Sequence, residues 1–175
     1  ENDYARDPWF AFAGYTNGKL KNTIKFSVNP NKKERDTLYK NNLNPVVMSE
    51  TEGPIIYGNK TLLTKPSDFQ RIDNRRLFIV LEKTIANISE YFVFEKNNAF
   101  TRRRLVGKIE PFLRDVQGRQ GIYDYRVVCN ESNNGPEVRS RNELQCDIYI
   151  KPVKAAEFIR LNFIATRAGI EFSEV

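Results

Sequence analysis

Between residues 71 and 94 the apolar side chains Leu77, Leu81, Ile85, Ile88 and Phe92 recur at spacings of four, four, three and four. That is one face of a 3.6-residue period and predicts a long helix. Phe78, Ile79 and Val80 fill other faces near its start, so this part is expected to be covered on more than one side. A second helix is predicted after Asn97 and Asn98, with Leu105, Ile109, Phe112 and Val116 inward and Gly118 and Gly121 as stop signals. Pro111 lies inside that run, its ring directed at the carbonyl of Gly107, so a kink or local break is expected there. Arg102, Arg103 and Arg104 point three ways around the same helix and read as a solvated collar. The stretch 72–117 organises the rest of the chain.

Before it, residues 1–30 read as extended and irregular, with Trp9, Phe10 and Phe12 too apolar to stay in water and therefore laid across the domain. Asn17-Gly18 is a turn signal, and the alternation of Ile24, Phe26 and Val28 predicts a short strand. Asn29 or Asn31 can cap a helix over 32–42, on which Lys32, Lys33, Arg35 and Lys40 form a basic surface against Glu34 and Asp36. Asn44-Pro45 ends it. Residues 46–48 and 55–57 read as a small hairpin, and Ser67 and Asp68 as caps for the long helix.

After the helices the period changes to two. Tyr123, Tyr125, Val127 and Cys129 form one inward row, and Leu144, Cys146, Ile148 and Ile150 form another. The polar loop 130–136 between them is expected at the surface. A third row, Ile159, Leu161, Phe163 and Ala165, follows Pro152 closely enough to pair antiparallel with the second. The expected fold is α+β: a largely antiparallel sheet with two long helices packed on one face, an extended N-terminal segment and a terminal strand arm. The division is 1–30 as an extended linker, 31–167 as the domain and 168–175 as the arm. Within the arm Gly169 is a hinge; Ile170 and Phe172 then point one way, Glu171 and Ser173 the other, before Glu174 and Val175.

Composition narrows the function by exclusion. A chain of 175 residues can bury a real core, and its +6 net charge favours acidic partners without choosing among nucleic acid, anionic lipid and protein. There is no histidine, which removes the Ser-His and Cys-His nucleophile arrangements and the usual zinc ligand. Cys129 and Cys146 are too few for a four-thiolate metal site and read as buried free thiols. Glu82, Glu90, Glu95 and Glu110 are spread along the helices without pairing as an acid and a base. No phosphate-cradling glycine loop is present, and Gly14 and Gly18 lack its spacing and its Lys-Ser/Thr. No catalytic, metal or cofactor site is expected. A nucleic-acid module is the rival reading, although Tyr123, Tyr125 and Phe163 fit inward strand positions as readily as a stacking platform. No signal peptide, membrane-length apolar run, repeat or low-complexity tract is found, and the Glu1 start suggests a fragment of something longer.

The order of the short motifs adds to this. Pro8-Trp9-Phe10-Ala11 precedes Ala13-Gly14-Tyr15 and Gly18, then Leu38-Tyr39 and Asn44-Pro45. Gly53-Pro54-Ile55-Ile56-Tyr57-Gly58-Asn59-Lys60-Thr61-Leu62 follows, then Arg75-Arg76-Leu77, Leu81-Glu82 and Phe94-Glu95-Lys96-Asn97. The last passage runs from Asp147-Ile148-Tyr149-Ile150-Lys151-Pro152 to Ala156-Glu157-Phe158-Ile159. As an ordered set, from about Pro8 to Val175, these resemble the C-terminal conserved domain of contractile tail sheath proteins of phages with T4-like tails. The resemblance implies a structural subunit without an active site, lying beside the tail tube in a helical stack of six-fold rings. Such a stack shortens and widens to drive the tube through a host envelope. It implies the tail tube, baseplate and tail terminator proteins as partners, with no direct nucleic acid and no membrane, and assembly in the host cytoplasm into the virion. Tailocins and type VI secretion sheaths share the domain. It also implies terminal arms exchanged between neighbours, which places Gly169 and residues 170–175 in an inter-subunit strand. Lys32, Lys33, Arg35 and Lys40 would then face the tube.

Overall fold

The structure, a computed structural model, describes residues 6–21, 23, 25–157 and 159–161. Its elements in order are α1 (Gly14–Asn17), α2 (Lys32–Lys40), β1 (Val46–Ser49), β2 (Gly53–Ile56), a 3-10 turn (Asp68–Gln70), α3 (Ile72–Glu90), α4 (Ala99–Gly118), β3 (Ile122–Val128), α5 (Pro136–Ser140) and β4 (Asp147–Pro152). The fold is α+β, with two long helices and two small antiparallel sheets of two strands each, β1–β2 and β3–β4.

The core forms where α3 and α4 meet. Leu77 and Leu81 of α3 pack with Leu105, Ile109, Leu113 and Val116 of α4, and Trp9, Ile122 and Cys129 close the cluster. Helical spacing correctly placed most of these residues; it put Phe112 inward, whereas Leu113 is fully buried and Phe112 only half-buried. The first helix stops at Glu90 rather than near Phe94. Bonds from Phe92, Val93 and Glu95 to carbonyls three residues back tighten the exit, and Phe94 adopts a left-handed φ of 68° that reverses the chain. Asn98 then caps α4, its side chain accepting from the Thr101 amide at 2.8 Å.

Two expectations about these helices are corrected. First, of the kink or local break expected at Pro111, the break is absent: α4 runs continuously from Ala99 to Gly118. Pro111 and Gly107 both face solvent, and a Cβ on Gly107 would meet nothing within 4 Å, so the backbone has room to give on that side. The fully packed opposite face holds the helix together. Second, Ser67 caps the 3-10 turn, accepting from Phe69, and not the long helix, which starts behind Arg71 without a side-chain cap.

β3 and β4 run antiparallel, with Tyr125 opposite Ile150 and Val127 opposite Ile148, and their inner faces lie on the helix pair. A register shift between Ile122 and Asp124 changes which residues face inward. Ile122 is therefore in the core, and Tyr123, expected inward, is 66% exposed. β4 pairs with β3; of the third row, Ile159 and Leu161 lie in no strand, and Phe163 and Ala165 lie outside the described residues. β1 and β2 form the expected hairpin, with Gly53 at φ 76° at the turn. Lys19 bridges Ile55 on the far side of β2. Gly18 is required there because a Cβ would lie 2.6 Å from the Ile56 carbonyl oxygen. The strand predicted around Ile24 is absent among the described residues of 23–28, where Val28 is 75% exposed.

Trp9 is the reason the N-terminal segment lies where it does. Its indole N–H donates to the Arg119 carbonyl at 3.0 Å, and the Arg119 guanidinium sits 4.9 Å above the ring while pairing with Asp7 and Asp115.

Candidate assembly surfaces and a buried polar hub

The basic helix α2 begins with a reciprocal cap. The Asn31 side chain accepts from the Glu34 amide, and the Glu34 carboxylate accepts from the Asn31 amide at 2.8 Å. Glu34 is thus occupied at the helix end, and Lys32, Lys33 and Lys40 are exposed, with Arg35 half-buried. At about 100° per residue Lys33 and Lys40 stack in line, Lys32 lies roughly a quarter turn from them and Arg35 a further sixth of a turn on, so the four spread over nearly half of the helix circumference, with Asp36 among them. Gly169 and Ile170, Glu171, Phe172, Ser173, Glu174 and Val175 lie outside the described residues.

The three arginines of α4 separate. Arg102 is 3% exposed rather than solvated, donating to Asn97 Oδ1 at 2.7 Å and facing Glu131 at 3.8 Å. Arg104 pairs with Glu95 at 3.0 Å and lies over the Phe92 and Phe100 rings, while Arg103 is exposed. Arg102 is buried because it supports the loop expected to be a mere surface turn. Asn134 in that loop is fully buried. Its amide donates to the carbonyls of Asn130 and Gln145, and its oxygen accepts from the Gln145 amide at 2.8 Å. Asn133 ties the same loop to the Val128 carbonyl and the Asp147 carboxylate. Asparagines can pack when each donor and acceptor finds a backbone partner, which composition does not reveal.

A second hub joins parts of the chain far apart in sequence. Glu157, beyond β4, receives the Tyr39 hydroxyl at 2.8 Å and a two-pronged grip from Arg71, Nη2 at 2.7 Å and Nε at 2.6 Å. Lys60 donates to the Tyr39 carbonyl at 2.8 Å and lies 4.0 Å over its ring. Burial, then the Glu157 hydrogen bond and charge, push the Tyr39 phenol up to about 12. Asp73, at the start of α3, is raised above the usual carboxylate range by burial, opposed by the Asn74 N–H that it accepts. A polar cleft of about 760 Å³ separates residues 66–74 from residues 154–157, with Lys154 and Asp68 paired across it. No periodicity signals this hub, because its members are single polar residues in four segments.

Residues 64–166 match the family described as phage tail sheath C-terminal domain. The chain belongs to that family.

This sheath domain is 40% identical over 173 residues to the tail sheath proteins of Vibrio phage KVP40 and Enterobacteria phage T4. Each alignment covers 99% of this chain and 26% of the relative, so the chain spans about a quarter of their length. The tail sheath protein of Salmonella phage ViI is 38% identical over 163 residues, 93% of this chain and 26% of that one. Among solved structures, the fold is similar to the PVC sheath complex of an extracellular contractile injection system in its contracted state. The TM-score is 0.86 with 22% identity, covering 94% of this chain and 48% of that one. The contracted helical sheath of the anti-feeding prophage gives 0.84 and 22%, covering 94% and 47%. At that identity the likeness speaks for fold alone.

The sheath domain's cysteines complete the description. Cys129 is buried and Cys146 half-buried, each one step beyond the Val128–Asp147 pair of the β3–β4 ladder. Burial pushes the Cys146 thiol up to about 12, with the neighbouring Cys129 adding to it, and raises Cys129 as well.

Proposed function

We propose that the protein is a contractile tail sheath subunit that polymerises helically around the tail tube, in stacked hexameric rings, and contracts to drive the tube through the host envelope. The observation that carries this reading is the 40% identity to phage tail sheath proteins along nearly the whole chain. The geometry is compatible with it: among the described residues β3 and β4 form a ladder of two strands, and a strand edge can accept a strand from another subunit. A head-to-tail contact whose rotation does not close builds an open helix, and a lattice of such contacts can hold two packings. In this reading residues 31–167 are the working domain, residues 1–30 and 168–175 its connections, and Ile170–Val175, hinged at Gly169, the exchanged strand. The role is structural rather than catalytic. Baseplate and tail terminator proteins would meet the ends of the stack, and the protein would be assembled in the host cytoplasm and end in the virion.

Lys32, Lys33, Arg35 and Lys40 would face an acidic tube wall. Exposed pairs of this kind contribute about 0.2–1 kcal/mol each and weaken with salt, which suits a surface that must let go during contraction. The test is reconstitution of full-length sheath protein on tubes, scored by electron microscopy. The Lys33→Glu/Arg35→Glu variant is expected to lower the yield of sheathed tubes at low salt, and a chain lacking residues 169–175 to stay soluble and unassembled. Unchanged tubes from the first variant reject the tube face; normal tubes from the second reject the arm.

A further inference from the structure

The end of the β3–β4 ladder brings the two thiols of this domain face to face. Val128 is paired with Asp147, so Cys129 and Cys146 follow as the next opposite residues, and their side chains hydrogen-bond to each other. Directly opposite residues of an antiparallel pair have Cα atoms about 4.5–5.5 Å apart, inside the span of about 4.4–6.8 Å that a disulfide bridges. The loop 130–145 between them is anchored at both ends. Asn133 donates to the Val128 carbonyl beside Cys129, and Asn134 bonds Gln145 beside Cys146. The two sulfurs are therefore held together by the ladder on one side and by the asparagine hub on the other.

We propose that Cys129 and Cys146 are a redox site, a thiol pair that closes to a cross-strand disulfide with a small-molecule disulfide, such as oxidised glutathione, as the oxidant. In the first step the Cys146 thiol, the more accessible of the two, loses its proton to solvent and its sulfur attacks one sulfur of the oxidant. The oxidant's S–S bond breaks, and the expelled thiolate takes up a proton. The Cys129 thiol then loses its proton, its sulfur displaces the second small thiol from Cys146, and the protein S–S bond forms. Two protein thiols give up two electrons, and one small disulfide is reduced to two thiols. The positive charge of buried Arg102 favours the Cys129 thiolate that the second step needs. Burial keeps both thiols protonated in the closed fold, so exchange is slow there and runs when this end of the ladder opens. The finished bond is uncharged and suits the same buried site. It turns residues 129–146 into a closed ring and staples β3 to β4 beside the Asn134 loop. In the sheath reading above, a subunit made in a reducing cytoplasm carries thiols and meets conditions that favour the disulfide only after release. The chemistry itself stands without that reading.

The experiment uses full-length sheath protein as free subunits, so its outcome does not depend on assembly around a tube. The protein is brought to equilibrium in mixtures of reduced and oxidised glutathione at mildly alkaline pH, starting from the thiol form and from the disulfide form. It is then alkylated and digested with trypsin without reduction. The disulfide reads in mass spectrometry as linked peptides 127–139 and 142–154, since trypsin does not cut between Lys151 and Pro152. The ratio of linked to alkylated peptides gives the effective concentration of one thiol at the other. Closing a loop of this length is worth roughly a hundredfold, so the effective concentration is expected to be about a hundredfold higher in the native protein than in concentrated urea. A native value no higher than the value in urea overturns the site, because the fold would then hold the sulfurs apart or strain the bond. Linkage between two chains in place of linkage within one, seen as a disulfide dimer on a non-reducing gel, overturns it as well.

Discussion

Replacing Asn134 by alanine should cost far more than its position in a polar loop suggests. The side chain is fully buried and makes bonds of 2.8–3.0 Å to Asn130 O, Asn133 Oδ1, Gln145 O and Gln145 N. Each net bond is worth about 1 kcal/mol, and each buried partner left unmet costs about 1–3 kcal/mol, partly recovered where water enters. We expect a loss of about 3 kcal/mol, which for a domain of this size lowers Tm by roughly 6–12 °C. Urea unfolding followed by fluorescence and far-ultraviolet circular dichroism should show a lower midpoint at unchanged slope. Asn134→Asp sharpens the test. It is isosteric, but its carboxylate would face the Asn130 and Gln145 carbonyls without a proton to give. Its deficit should therefore grow as pH rises from 4 to 7, because the folded state favours the protonated acid. A loss below about 1 kcal/mol for the alanine variant would refute the hub as the element that holds this loop.

Other consequences are as direct. Gly121→Ala places a Cβ 2.7 Å from Val116 Cγ1 and 3.1 Å from the Trp9 ring, and should destabilise by about 1–3 kcal/mol in the same urea titration. Asp73 has a raised carboxyl in the fold, so it binds its proton more tightly folded than unfolded and stability falls as pH rises from its unfolded value of 3.8 through the folded one. Asp73→Asn should therefore gain on the parent between pH 4 and 7, and a pH-independent difference would contradict the assignment. The native protein should leave Cys129 and Cys146 unreactive towards an aromatic disulfide reagent at pH 8, and urea should release both thiols, since burial holds them protonated.

Much of this fold was legible because it rests on repetition. Leu77, Leu81, Leu105 and Ile109 announce a helix pair through spacing alone, and Tyr125, Val127, Ile148 and Ile150 announce a ribbon on top of it. What repetition cannot show is a single residue with a single set of partners. Asn134, Arg102 and Glu157 carry ordinary surface chemistry and become structural only through contacts made 11, 5 and 118 residues away. The bulge at Ile122 and the left-handed Phe94 escaped for the same reason, since one irregular φ or one extra residue leaves no period behind. Pro111 misled in the other direction: its local cost is real, but the face it disturbs is solvent, and the helix tolerates it.

The Asn134–Gly135 step has a further consequence, in time rather than in energy. An asparagine followed by glycine is the dipeptide most prone to lose its amide, because the glycine nitrogen can swing onto the side-chain carbonyl carbon. Here that carbonyl oxygen is held by the Gln145 amide and its NH2 group is spread over Asn130, Asn133 and Gln145, in a site without solvent. The bonds that fix the loop also keep the reacting atoms from finding each other. The packing of this loop therefore also sets the pace at which that amide is lost from the folded protein.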